Sequence, residues 1–316
     1  MGLGVLKAKA IRSYLRLEDM FATTWLKDNC GKEAYKKVWL PLLKGKFGDC
    51  YEEISAVWIW NKFKLRGGSR NNGGHEVLVY FENGFKEIIS KICSKLEALG
   101  VKFLFDSPVD KVEKEGDEFL VYSNGSVYNF KKLSFTTSPK DFVDVVKFLP
   151  TDYKNSLMRI RHLANICLVL VLDKKFSDIY WLNVADENFP FVGIIEHTNF
   201  HSSEHYGGKH ILYLSKYLKE YDVLYSYSKE ELVDYSLKFL QKINPDFKKD
   251  SIEEAYLFKS KCSQPIIEKE YSKLLFSMKT KVDNLFFTSM AQIYPQDRGT
   301  NFAVKYGRML AKEMLG

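Results

Sequence analysis

The sequence predicts an α/β chain of the α+β kind, in which one mixed domain is interrupted by a second domain of sheet and helix. Three observations carry this. Over residues 85–139 a helix, a strand, a hairpin and another strand follow in order, an α/β unit with an antiparallel excursion. Over residues 141–269 the pattern changes to longer apolar strands with one long amphipathic helix among them. The chain then returns, at Asn284-Leu285-Phe286-Phe287, to a short apolar strand that runs through a loop and Gly299 into a closing helix. With 316 residues, 46% of them hydrophobic and 15% aromatic, the chain can bury a sizeable core.

Taken in order, residues 1–66 read as helical. Ala22-Thr23-Thr24-Trp25-Leu26 predicts a helix start in which a threonine accepts first-turn N–H groups. Val38-Trp39-Leu40-Pro41-Leu42-Leu43 is an apolar stretch bent by its proline, and residues 53–60, with Trp58 and Trp60, carry large apolar side chains at helical spacing. The glycine- and asparagine-rich run 67–74 reads as a loop, without the Gly-Lys-Ser/Thr ending of a phosphate loop. A helix over 86–99 is closed by Gly100, strands follow at 101–105 and 108–112, and 117–129 is a hairpin turning at Asn124-Gly125. Further strands are expected at 133–139, 166–172, 192–196, 210–218 and 256–258, and a helix over 228–243 capped by Ser228.

The net charge of +7 is modest and the lysines are spread along the chain, so no basic patch marks a nucleic-acid groove. Cys30, Cys50, Cys93, Cys167 and Cys262 are an odd count without Cys-x-x-Cys spacing, which points to a reducing compartment and away from zinc or a disulfide framework. The longest apolar run, 163–172, is too short to span a bilayer, and the start has no cleavable signal pattern. The expected location is cytoplasmic, with no membrane contact indicated. Met1-Gly2-Leu3-Gly4 is neither a dinucleotide turn, since Lys7 stands at the third glycine position, nor a myristoylation signal, since Leu6 replaces serine or threonine.

Few residues can be singled out for chemistry. Glu196-His197-Thr198-Asn199 ends a strand, where a glutamate and a histidine could handle protons or bind a polar substrate; a hydrogen-bonded strand end is the alternative. His197, His201 and His205 recur every fourth residue, but Asn199, Ser202 and Ser203 favour a loop over a helix, and no metal site is expected. Lys261 and Gln264-Pro265 stand at a strand exit. Asp297-Arg298-Gly299-Thr300-Asn301 opens the last helix, whose first N–H groups can face negative charge or be capped by Thr300 or Asn301. No Ser-His-Asp or Cys-His arrangement can be proposed from order alone, so catalytic residues stay unassigned. No Gly-x-Gly-x-x-Gly appears on a strand-to-helix turn.

In this order the pieces resemble the flavin-containing amine oxidase superfamily, which includes protoporphyrinogen oxidases, phytoene-type desaturases and UDP-galactopyranose mutases. Asn83-Gly84-Phe85 stands where that family has Gly-Gly-Phe/Met before a helix, Pro108-Val109 matches its adenine-contacting valine, and Thr136-Thr137-Ser138-Pro139 resembles its Ala-Thr-x-Pro strand end. Asn284-Leu285-Phe286-Phe287-Thr288-Ser289 resembles its Asn-Leu-Phe-Phe-Ala-Gly, with Thr288 for alanine and Ser289 for glycine. The resemblance implies an incomplete FAD-binding Rossmann-like domain, 71–140 and 271–316, around a substrate domain made of 1–70 and 141–270. It implies FAD contacts at Val109, Thr137, Ser138, Ser289, Met290, Gly299, Thr300 and Asn301, and substrate contacts at Glu196, His197, Asn199 and Gln264.

The implied function is hydride transfer from an organic small molecule to flavin N5, by a chain that starts after the pyrophosphate-binding turn. That turn would lie upstream, or on a separate polypeptide that makes this chain half of a split flavoenzyme. The alternative is a non-catalytic relic that keeps the substrate domain as a binding or interaction module.

Overall fold

The computed structural model describes residues 2–65, 77–186 and 188–316, so the loop expected at 67–74 lies outside the described residues. The first part is helical: α1 (Gly2–Ala10), α2 (Ala22–Cys30), the single turn α3 (Lys32–Ala34), a π-helical turn Tyr35–Trp39, α4 (Leu40–Phe47) and α5 (Ala56–Leu65). Trp25, Trp39, Trp60, Phe47 and Phe63 pack their interior, and Trp60 Nε1 donates to the Ala8 carbonyl at 2.9 Å, so the indole is buried without an orphaned N–H. No threonine caps α2. Its N-cap is Phe21, and the Ala22 N–H donates to the Ile54 carbonyl at 2.7 Å, a remote partner that takes the place of a local cap. Pro41 sits in the first turn of α4, where its missing N–H costs nothing.

The middle begins with α6 (Phe85–Ala98), then β1 (Val109–Glu115), β2 (Glu118–Ser123) and β3 (Ser126–Phe130), a three-stranded antiparallel sheet. The β2–β3 turn is at Asn124-Gly125 with φ of 49° and 76°, the left-handed pair that a two-residue hairpin needs. Residues 101–105 belong to no strand: among the described residues no neighbouring strand offers them a ladder. Next come β4 (Leu133–Phe135), α7 (Pro139–Val145) and α8 (Thr151–Met158).

A five-stranded antiparallel sheet follows. In chain order it contains β5 (His162–Leu172), β6 (Trp181–Asn183), β7 (Gly193–Glu196), β8 (His210–Leu218) and, after α9 (Val223–Ser226) and α10 (Lys229–Ile243), β9 (Ile252–Pro265); its spatial order is β6-β7-β8-β5-β9. β5 is central, so its apolar run is flanked on both edges, and α10 covers the sheet with Leu232, Val233, Phe239 and Leu240. Ser228 caps α10 in a reciprocal capping box with Glu231. α4 lies close to this sheet at Gly45, where a Cβ would come within 2.4 Å of the Val192 side chain. The chain closes with β10 (Leu285–Phe287) and α11 (Thr300–Leu315).

β10 returns to pair with β4 in parallel, Leu285 opposite Leu133 and Phe287 opposite Phe135. Phe142 of α7 stacks on Phe287 with ring centroids 4.3 Å apart, which fixes the height at which both strands end. No helix among the described residues is long and apolar enough to cross a membrane.

Candidate active site

The carboxyl ends of β4 and β10 point into a cleft of about 560 Å³, within the size range of small-molecule sites. Ligands of parallel α/β sheets sit outside such strand ends. Thr136, Thr137 and Ser138 enter the wall from β4, and Ser289 and Met290 from β10. His162 at the head of β5, Cys262, Ser263 and Pro265 near the end of β9, and Arg298 ahead of α11 form the opposing side.

The β10 side is locked by one glutamine. Gln292 Oε1 accepts from the Thr288 hydroxyl at 2.8 Å and from the Ser289 N–H at 2.9 Å, and its amide donates to the Phe276 carbonyl at 2.7 Å. The Ser289 hydroxyl accepts the Ala291 N–H. Its extra oxygen is therefore used inside the turn, and these polar groups satisfy one another. On the β4 side the Ser138 hydroxyl caps α7, accepting the Asp141 N–H at 3.1 Å.

Arg298 joins this cleft to β9. Its guanidinium donates to the Ser263 carbonyl and, at 2.6 Å, to Gln264 Oε1, while its buried Nε has no partner among the described residues. An orphaned N–H donor in a cleft wall suits a ligand acceptor. The N–H groups of Thr300 and Asn301, next along the chain at the start of α11, are taken up by no described residue, and the helix dipole adds positive potential there.

His162 donates Nδ1–H to the Ile160 carbonyl at 3.2 Å, in the tautomer that this acceptor selects, which leaves Nε2 as the acceptor. Burial lowers its pKa to about 4, with the charge of Arg298 adding to the effect, so the ring is neutral at neutral pH. The sequence singled out neither His162 nor Arg298 as a site residue. The available signals were a polar residue heading an apolar strand and an arginine directly before the glycine of the last helix.

Of the residues expected to contact FAD, Thr137, Ser138, Ser289 and Met290 line one cleft. Gly299, Thr300 and Asn301 adjoin it behind Arg298, whereas Val109 opens β1, paired with Ser123, and is not in the cleft wall. Gln264 is buried beside the cleft and holds Arg298.

Glu196, His197 and Asn199 do not line the cleft. Glu196 is fully buried and accepts the N–H groups of Phe176 at 2.9 Å and Ser177 at 2.6 Å, and Asn199 donates to the Ser177 carbonyl at 2.8 Å. These side chains fasten the segment after β5 to the end of β7, as a hydrogen-bonded strand end does. His197 and His201 share the Tyr206 hydroxyl, at 2.7 and 3.2 Å, across two short 3₁₀ turns. Among the described residues no group of three His, Cys, Asp or Glu is placed to hold a metal ion.

The model of the flavin containing amine oxidoreductase family matches residues 3–314. The chain belongs to this family. As a flavin containing amine oxidoreductase relative it shares its fold with several solved structures. One is described as a candidate protoporphyrinogen oxidase from Exiguobacterium sp. 255-15, at TM-score 0.71 and 15% identity over 98% of this chain and 71% of that one. Another is cyclohexylamine oxidase from Brevibacterium oxydans IH-35A, at TM-score 0.64 and 15% identity over 99% of this chain and 72% of that one. Reduced UDP-galactopyranose mutase matches at TM-score 0.61 and 12% identity, over 86% of this chain and 62% of its own length. No curated protein matches the chain. Membership implies a flavin cofactor, and the orphaned Arg298 Nε, the unspent N–H groups at α11 and the roomy polar cleft fit the electron-rich edge of a flavin ring.

Proposed function

We propose that the chain is the substrate-facing part of an FAD-dependent oxidoreductase. The observation that carries this reading is the convergence of both parallel strand ends and Arg298, which precedes α11, on one cleft. Bound FAD would supply the two-electron acceptor, at N5, for a hydride leaving an organic substrate. Arg298 Nε and the N–H groups of Thr300 and Asn301 would hold the electron-rich edge of the ring and favour negative charge there. Pro265 and Met290 would exclude water from the cleft, and neutral His162 would accept a hydrogen bond, or a proton released by the substrate, at Nε2.

The pyrophosphate of FAD would be seated by residues beyond those of this chain, on a separate polypeptide in the split form of the proposal. The apolar stripe of α6, of which no residue is buried, and the segment 101–105, which pairs with no strand among the described residues, support this. A non-catalytic interaction module is the second reading, favoured by the same stripe.

The test is titration of the purified chain with FAD and with riboflavin, followed by flavin fluorescence. Both are expected to bind with similar affinity, since only the ring is held, and Arg298→Ala should weaken both about tenfold. Binding of neither flavin would withdraw the enzyme reading and leave the interaction module. FAD binding far more tightly than riboflavin would sink the split form.

A further inference from the structure

Strand side chains alternate between the two faces of a sheet, and α10 packs on one face of the five-stranded sheet. Ile166, Leu168 and Leu170 of β5 and Leu212 and Leu214 of β8 lie beneath that helix. The residues between them point the other way. On that second face the register aligns Trp181, Ile195, Tyr213, Val169 and Tyr256 in one row across all five strands. In the next row Ser215, Cys167 and Phe258 stand side by side. No residue in either row is charged.

The face is aromatic and, toward β9, open. Phe258 is 60% and Tyr256 48% exposed, whereas Val169, small and set between two rings, is 9% exposed. The other flank is closed where the Tyr213 ring meets His197, with centroids 6.1 Å apart. Large apolar side chains left in water on an edge strand are a liability unless something covers them. The polar groups of the floor need no ligand. Asn165 spends its amide on the Ser215 hydroxyl at 3.1 Å and on the Lys216 carbonyl at 3.0 Å. Burial pushes the Cys167 thiol up, as a floor of low polarity would.

The open part runs into the large cleft. Beyond Tyr256 and Phe258 the next residue on the same side of β9 is Ser260, which stands opposite Asn165 and already belongs to the cleft wall. Tyr256 to Ser260 is about 13 Å of strand. The charges near this path do not suit an amine. Glu254 lies at the end away from the cleft, opposite Val171, and its carboxylate accepts the Tyr256 hydroxyl. At the cleft end the Lys46 ammonium sits 4.9 Å from the centroid of the Tyr217 ring, itself opposite Asn165. A cation on the floor would lose water without gaining a counter-ion, and contact with exposed rings repays only part of that cost.

We infer that this sheet face seats an uncharged, elongated apolar molecule with one end in the cleft, so that, granting the oxidoreductase reading of the cleft, the substrate class is a neutral apolar compound and not an amine. Phe258 is the specificity-determining residue. It supplies the most exposed apolar surface of the two rows and nothing that could hold a charge.

The experiment is fluorescence titration of the full chain at pH 7, without flavin, with three probes that share one rod-like body: diphenylhexatriene, its trimethylammonium derivative and its propionic acid derivative. Titrations are run on the wild type and on Ile89→Glu/Ile92→Lys, so that uptake by the α6 stripe is separated from uptake by the sheet. The neutral probe is expected to bind saturably in both, about tenfold more tightly than the cation and at least as tightly as the anion. Phe258→Ala should weaken the neutral probe about tenfold, and Phe258→Asp should also bring the cation level with it. The exposure of Phe258 means that neither substitution opens a cavity in the core. Absence of saturable binding, a cation that binds wild type as tightly as the neutral probe, an anion that binds more tightly, or indifference to Phe258→Ala overturns the inference. Neither flavin nor turnover enters the measurement, so its failure and a failure of the flavin reading are separate results.

Discussion

At Glu196 both carboxylate oxygens are occupied, one by the Phe176 N–H and the other by the Ser177 N–H, in a site with no solvent exposure. Removing the carboxylate strands two buried N–H donors, each costing about 1–3 kcal/mol. Glu196→Ala is therefore expected to lower unfolding stability in urea by about 2–4 kcal/mol, and Glu196→Gln, whose amide oxygen still takes one donor, by less. A loss below about 0.5 kcal/mol would return Glu196 to the list of functional residues. The sequence could not place this residue because its partners lie twenty residues back along a loop whose return path no local pattern encodes. Asn124-Gly125 and Ser228 were legible for the opposite reason: a left-handed turn and a capping box are each settled within four residues.

Helix α6 was also legible, to within one residue at each end, but its surroundings were not. Phe85, Ile88, Ile89, Ile92, Cys93 and Leu96 form a continuous stripe at helical spacing, and none of them is buried. The neighbouring segment 101–105 is rich in strand-forming residues but has no ladder among the described residues, so propensity alone did not produce a strand there. If the stripe is open in the free chain, charged residues on it cost little. Ile89→Glu combined with Ile92→Lys is expected to change unfolding stability by less than about 1 kcal/mol and to lower the binding of a hydrophobic dye. A core position would instead lose about 2–5 kcal/mol per truncated side chain, and a loss of that size in the double variant would mean that α6 is covered. The parallel pair β4–β10 was readable as two strands but not as partners, since nothing local links Leu133 to Leu285.

For the whole molecule, acid is the condition that tests the cleft. His162 is held neutral, with a pKa lowered by burial to about 4, whereas in the unfolded chain it titrates near its ordinary value. Its contribution is fully present above about pH 6.5 and is lost as the pH falls toward 4, because the unfolded state takes up the proton first. Between pH 7 and 4.5 the wild type is expected to lose roughly 2–3 kcal/mol more than His162→Gln, measured by urea unfolding at the two pH values. Equal losses would place the ring in contact with water. The sequence carried no sign of this, since the environment of His162 is assembled from β5, from the Arg298 segment and from the strand ends of the mixed domain. The same topology has a consequence in time. Leu133–Phe135 leaves the ribosome about 150 residues before Leu285–Phe287, so β4 must wait unpaired, and Phe142 without its Phe287 partner, through the synthesis of the entire five-stranded sheet. The floor of the cleft closes late, and a chain arrested before β10 would have only one of the two parallel strand ends that meet there.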